Sequence, residues 1–150
     1  MQSINLNQTF DEFNTTYGYA PLEFNAVNLG KAAKLIQDEV DETNAEIKHP
    51  YDPLNAAKEL TDILYITMQQ MRAMGIDIHA CLEEVHRSNL SKRVPASDVD
   101  QYLEEVEVRY PNAIAIVKDH KAVLRCTDSN KIIKPSCYSP AQIKRSMVGM

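Results

Sequence analysis

Two apolar stripes of helical period, separated by a pair of prolines, constrain this chain more than any other feature. Leu29, Ala33, Ile36, Val40, Thr43 and Ile47 recur at steps of three and four, which places them on one side of an α-helix. Pro50 and Pro53 cannot continue that helix, because proline lacks the amide donor and its ring collides with the preceding turn. The helix is therefore expected to end near His49. A second stripe follows, formed by Ala57, Leu60, Leu64, Thr67 or Met68, and Met71, and closed by Gly75. Another helix is expected from about Asp77 to Lys92, with Ile78, Leu82 and Val85 inward and a stop before Pro95. Long helices joined by short connections pack as antiparallel neighbours. A shorter helix is expected ahead of them, from about Phe10 to Tyr17. Thr9 and Glu12 have capping-box spacing there, and Phe10 and Phe13 share a face suited to the core.

The pattern changes after Pro95. Ser97 to Arg109 still reads as a helix, with Val99, Tyr102, Leu103 and Val106 on one side. Ala113–Val117 and Ala122–Cys126 then form short apolar runs around Lys118–Lys121, which predicts a hairpin with a four-residue loop. Lys131–Lys134 is a candidate third strand, and Ser139 with Pro140 predicts the start of a last short helix. The expected fold class is all-α: an antiparallel helical bundle with a small β-hairpin-containing C-terminal tail. One domain is expected over 1–150, with a helical core at about 9–109 and a tail at about 110–150, since the tail is too small to bury a core alone.

Charge and cysteine content narrow the partners. The chain has 150 residues and a formal net charge of −5, which argues against polymeric nucleic acid as a ligand, its phosphate backbone requiring clustered excess Lys and Arg. Cys81, Cys126 and Cys137 are odd in number and lack C-x-x-C spacing, which argues against a disulfide framework or zinc knuckle. Neither a membrane span nor a signal peptide is expected. The sequence reads as a soluble cytoplasmic protein.

Five acids carry the chemistry. Asp38, Glu39 and Glu42 lie on the first long helix, and Glu59 and Asp62 on the second. Spacings of three and four put carboxylates one turn apart on one face. Glu39 adjoins Ile36 and Val40, while Glu59 and Asp62 adjoin Leu60 and Ile63, so these acids are expected at the edge of the core. Crowded carboxylates repel and raise one another's pKa. Cations between them relieve that repulsion, and oxygen-only ligand sets suit Mg²⁺ or Mn²⁺. A solvated acidic face is the alternative.

Asp38-Glu39-Val40-Asp41-Glu42, then sixteen residues, then Glu59-Leu60-Thr61-Asp62 resembles the E-E-x-x-E…E-x-x-D signature of the all-α nucleoside triphosphate pyrophosphohydrolases, the MazG and phosphoribosyl-ATP pyrophosphohydrolase superfamily. Val85-His86-Arg87-Ser88-Asn89-Leu90-Ser91-Lys92 resembles that family's helix with an Asn and a Lys three apart. Lys134-Pro135-Ser136-Cys137-Tyr138 is similar to the K-P-x-G-Y of its phage and bacterial members, with Cys137 in place of the Gly. Asp38 stands where many members have Glu, and the segment from Tyr102 to Asp128 looks longer than in minimal members.

The resemblance implies metal-dependent cleavage between the α- and β-phosphates of a nucleoside triphosphate, giving a monophosphate and pyrophosphate. It makes Glu39, Glu42, Glu59 and Asp62 the ligands of Mg²⁺, with Mn²⁺ able to substitute, and gives Glu39 the further role of orienting or deprotonating water. An acidic protein then binds an acidic ligand through the metal. Asn89 and Lys92 are the candidates for nucleotide or phosphate contact, and a helix-to-helix tie is the other reading of Asn89. Asn14 and Tyr17, with Phe13, are candidates to face the base. Lys31 and Lys34 are weaker candidates for phosphate. The phage-like C-terminal motif points to a deoxynucleotide, with a purine such as dGTP, the substrate of the MazZ group, first among them. Substrates kept open are dUTP and phosphoribosyl-ATP. The resemblance also implies a homodimer or homotetramer with sites near the subunit interface.

Two readings compete with this one. Glu83-x-x-His86 has the spacing used in di-iron bundles, but such bundles pair two of these motifs and the sequence holds one. A non-catalytic nucleotide-binding helical module is the other, and it leaves the repelling acids without a purpose.

Overall fold

The computed structural model describes residues 4–47 and 51–150. The expected helix end at His49 and Pro50 lies outside them. The described residues gather into two units, one of Met1–Cys81 with Ile143–Met150 and one of Leu82–Gln142.

The first unit is built on three helices: α1 (Leu6–Thr16), α2 (Ala26–Glu46) and α3 (Pro53–Ala73). Each begins on a side chain that satisfies a free amide of its first turn. Asn5 accepts from Gln8 N, Asn25 from Asn28 N, and Asp52 from Leu54 N and Asn55 N, with Pro53 in the first turn. The cap of α1 is thus Asn5, not Thr9, and the helix starts four residues earlier than its Phe spacing implied. Gly75, at φ +75°, ends the α3 turn in the left-handed region that glycine adopts without a Cβ clash.

α3 packs against both α1 and α2. Phe10 is buried and meets Tyr65 edge-on at 4.8 Å, and Phe13 meets the same ring at 5.2 Å. The tie between α1 and α3 also has a polar part. Gln69 is 2% exposed; its Nε2 donates to Asn14 Oδ1 at 2.7 Å, and its Oε1 accepts from Gln70 Nε2 at 2.6 Å. A small apolar cluster of Ala32, Met74, Ile76 and Cys81 closes the unit, with Met147 and Val148 of a C-terminal 3-10 turn (Arg145–Val148) against it.

The stripes are only partly inward. Leu29, Ile47, Leu60 and Leu64 are 50%, 69%, 56% and 58% exposed. Each helix has a wide apolar stripe, and packing of α3 on α1 and α2 covers only part of it. Leu82 and Val85, also expected inward, are exposed.

α4 (Ile78–Leu90) carries the chain into the second unit, which continues with β1 (Val94–Pro95), a 3-10 turn (Ala96–Asp98), α5 (Val99–Glu107), β2 (Ala113–Lys118) and β3 (Lys121–Cys126). The strands form an antiparallel sheet in the order β1-β3-β2. The fold is therefore mostly helical with a small sheet, not strictly all-α. Its third strand is Val94–Pro95; Lys131–Lys134 contributes only one bridge, Ile132 to Arg125. The hairpin turn is two residues, Asp119 and His120, both at positive φ, the geometry that matches the twist of paired strands. No helix starts at Ser139. Val106, Leu124, Cys126 and Ile133 make this unit's core. Among the described residues, no helix is long and apolar enough to cross a membrane.

Gln69→Leu removes a side chain that satisfies two buried amides at once. The substitution is expected to cost about 1–3 kcal/mol, read as a lower urea midpoint.

Candidate metal centre

α2 and α3 deliver the acids to one place. Glu39, Glu42 and Glu59 each offer a carboxylate oxygen, and these oxygens lie within 4.8 Å of one another. Glu39 is half-buried, Glu42 exposed and Glu59 buried. The i, i+3 spacing of Glu39 and Glu42 sets two of them one turn apart, and packing of α3 on α2 brings the third.

The acids differ sharply in their partners. Lys58 Nζ donates to Asp62 Oδ2 at 2.8 Å and to Glu59 Oε1 at 3.0 Å. These contacts, the one with Asp62 first, push the Lys58 ammonium above its ordinary pKa. Glu59 Oε2 is buried and has no hydrogen-bond partner. A buried carboxylate oxygen without a donor is costly, so its surroundings are incomplete without a positive group. Glu39 responds in the expected sense: partial burial raises its pKa, and the charges of Glu42, Asp62 and Glu59 raise it further, against a smaller opposing effect of Lys58.

The oxygen-only donor set, the orphaned Glu59 Oε2 and the crowding at Glu39 fit a hard divalent cation. Asp62 belongs to the neighbourhood through its charge on Glu39, yet it is engaged by Lys58 and is outside the set of mutually close oxygens. Asp38 is exposed and outside that set too. Sequence reasoning missed Lys58; its i, i+4 spacing to Asp62 was the available signal.

The remaining candidates are placed as follows. Asn14 is buried, its amide bound to Gln69. Tyr17 is 69% exposed, its ring 4.6 Å from that of Phe13. Lys31 and Lys34 are exposed. Asn89 and Lys92 belong to the second unit and pair with each other, Lys92 Nζ donating to Asn89 Oδ1 at 2.7 Å. Asn89 is exposed, which does not fit the helix-to-helix tie. Ser88 beside it is the buried residue, its Oγ 3.2 Å from the Tyr138 hydroxyl. Glu84 closes a bidentate pair with Arg87, and Cys81 is a buried thiol whose pKa burial raises.

A family model described as phosphoribosyl-ATP pyrophosphohydrolase matches residues 4–89, which include every acid of the cluster. The chain belongs to the phosphoribosyl-ATP pyrophosphohydrolase family. Membership brings a nucleotide pyrophosphohydrolase-type activity and a nucleotide as the class of substrate. Lys92 and the run Lys134–Tyr138 lie beyond the matched segment. No curated protein matches the chain.

Like-charge crowding predicts a stability signature. In EDTA, Glu42→Gln is expected to melt above the wild type, since one repelling charge is gone. Magnesium should raise the melting temperature of the wild type and raise that of the variant less, a comparison made by thermal scans with and without the metal.

Proposed function

We propose that this chain is a metal-dependent nucleoside triphosphate pyrophosphohydrolase. It cleaves the α–β phosphoanhydride bond to a monophosphate and pyrophosphate. The observation that carries the proposal is the convergence of carboxylate oxygens of Glu39, Glu42 and Glu59 within 4.8 Å, with one Glu59 oxygen buried and donorless. Glu39, Glu42, Glu59 and Asp62 would hold Mg²⁺, which Mn²⁺ can replace. When bound, such a cation offsets the triphosphate charge and lowers the pKa of the attacking water.

Glu39 is the group we assign to the water. Its raised pKa makes it a better proton acceptor than an ordinary carboxylate. It takes the proton as the water oxygen bonds to the α-phosphorus and the bond to the β-phosphate oxygen breaks, so pyrophosphate leaves intact. The sequence has no G-x-x-x-x-G-K-[ST] loop for cradling terminal phosphates. Asn89, Lys92 and Tyr17 are proposed to contact the nucleotide, while Asn14, buried in its tie to Gln69, holds α1 in place. Among substrates, the Lys134–Tyr138 resemblance favours a purine deoxynucleotide such as dGTP; the family match favours phosphoribosyl-ATP as the second reading.

Assembly into a homodimer or homotetramer belongs to the same proposal. Leu60 and Leu64 sit one turn apart on α3 and are more than half exposed, and exposed apolar patches of this kind mark interaction surfaces. Sedimentation should show an oligomer at working concentration.

A panel of nucleotides with Mg²⁺ and Mn²⁺, scoring monophosphate and pyrophosphate separately, tests the activity. Glu59→Gln and Glu42→Gln should each lower turnover by about 100-fold or more while remaining folded, in line with losing a preorganised electrostatic group. Unchanged turnover in both would remove the metal-site assignment. In ¹⁸O-water the label should enter the monophosphate; label in pyrophosphate would mean attack at the β-phosphorus.

A further inference from the structure

α5 separates charge in the second unit. Asp100, Glu104 and Glu107 recur along it at helical spacing and line a cavity on one side, which no Lys or Arg lines. A second cavity, of about 500 Å³, is lined by Arg109, Lys131 and Lys134, with Tyr110 shared between the two. Pairing these cations with the nearby acids would be the ordinary arrangement for a solvated surface. Among the described residues none of the three forms an ion pair. Two of them rest on aromatic rings instead: the Arg109 guanidinium is 5.4 Å from the Tyr110 centroid, and Lys134 Nζ is 4.9 Å from that of Tyr138. Cation–ring contacts hold a side chain in place while leaving its N–H donors free.

The acid in this cavity is Glu105, and both its oxygens are already used. Oε1 accepts from Ser136 N at 2.7 Å and Oε2 from Ser136 Oγ at 2.6 Å. Its bonds fix the loop that carries Lys134, and its charge leaves two of the three positive charges uncompensated. Val106, Ile132 and Ile133 supply an apolar wall. The volume lies within the usual range of small-molecule sites and exceeds what a lone phosphate needs.

We propose that this cavity, lined by residues of the second unit alone, is an anion site for a small molecule bearing one or more phosphates, and that it binds independently of a divalent cation. Arg109, Lys131 and Lys134 engage the phosphate oxygens, as charge-assisted donors do, and Val106 and Ile132 meet the body of the ligand. Two sources share this chemistry, a nucleotide and free pyrophosphate.

Isothermal titration of the full chain in EDTA separates this site from the acidic one. Inorganic pyrophosphate and adenosine monophosphate are titrated in turn. Binding of either is expected with EDTA present; tighter monophosphate binding identifies the nucleotide as occupant, and tighter pyrophosphate binding the free anion. Lys131→Gln should weaken binding about tenfold, the loss of roughly one charge-assisted contact, and Arg109→Gln likewise, while Glu59→Gln leaves it unchanged. Lys131 is exposed, so its variant keeps the test valid should Arg109→Gln unfold. Absence of binding to the wild type at millimolar probe, unaltered affinity in Lys131→Gln, or loss of binding in Glu59→Gln would each overturn the proposal.

Discussion

Packing α3 against α2 forces like charges together, and the chemistry of the chain depends on that single constraint. Apolar helix faces would pair as well with neutral residues at their margins. Here the margins carry Glu39, Glu42 and Glu59, with burial and then the neighbouring charges raising the pKa of Glu39 and with one Glu59 oxygen sealed from water without a donor. Such a contact opposes folding, because a buried unpaired carboxylate oxygen loses its hydration and gains nothing in return. Burial on α3 and the capping of both helices must offset it. The polar tie between Gln69 and Asn14 fixes α1 on the same helix, so the element that carries Glu59 is held on two sides.

Lys58 shows how the chain tolerates this crowding. Its ammonium bridges Glu59 and Asp62 from the same helix, one residue before the first and one turn before the second. It satisfies Glu59 Oε1 and leaves Oε2 as it was, so compensation is partial. The second unit solves the opposite problem in a different way. Its cations are spread along a cavity wall, two of them braced on tyrosine rings, while Asp100, Glu104 and Glu107 of α5 face another cavity. Charge is concentrated in one unit and segregated in the other, and in both places the ordinary neutralising pairs are incomplete.

Much of this was legible in the residues. Periodicity and proline placement predicted the long helices, because both act locally: a stripe at steps of three and four, a proline that breaks it, a glycine at its end; the Asn and Asp caps at the helix starts were not read. The acid spacing predicted the meeting of Glu39, Glu42 and Glu59 but not that Asp38 and Asp62 stay outside their close set. Burial of particular leucines was not legible. Leu60 and Leu64 satisfy the periodicity as well as Ile63 does, and only the placement of α1 and α2 decides which of them is covered. The short β1 strand escaped notice for a related reason. Val94 and Pro95 carry no alternating pattern of their own and become a strand only by pairing with Ala122 and Lys121. The two-residue turn at Asp119 and His120 was hidden because neither residue is glycine, though aspartate tolerates positive φ better than most. Lys58 was overlooked because a lysine beside two acids usually describes a solvated face; burial of Glu59 is what gives it meaning.

The exposed leucines of α3 bear on the acids beside them. Leu60 adjoins Glu59 in the chain, and Leu64 lies one turn further on, both more than half exposed. If a second copy covers them, the water that still reaches the margin of α3 is displaced. Lower local polarity strengthens every Coulombic interaction there. Repulsion among Glu39, Glu42 and Glu59 then rises, and with it the free energy released when a cation enters. Assembly and cation binding are in that case thermodynamically linked: whatever favours one favours the other, by the same factor in both directions. An isolated subunit would hold its cation weakly, and an assembled protein stripped of its cation would carry the full repulsion at its interface margin. The apolar surface left open on α3 and the unsatisfied oxygen on the same helix would in that case respond to the same event.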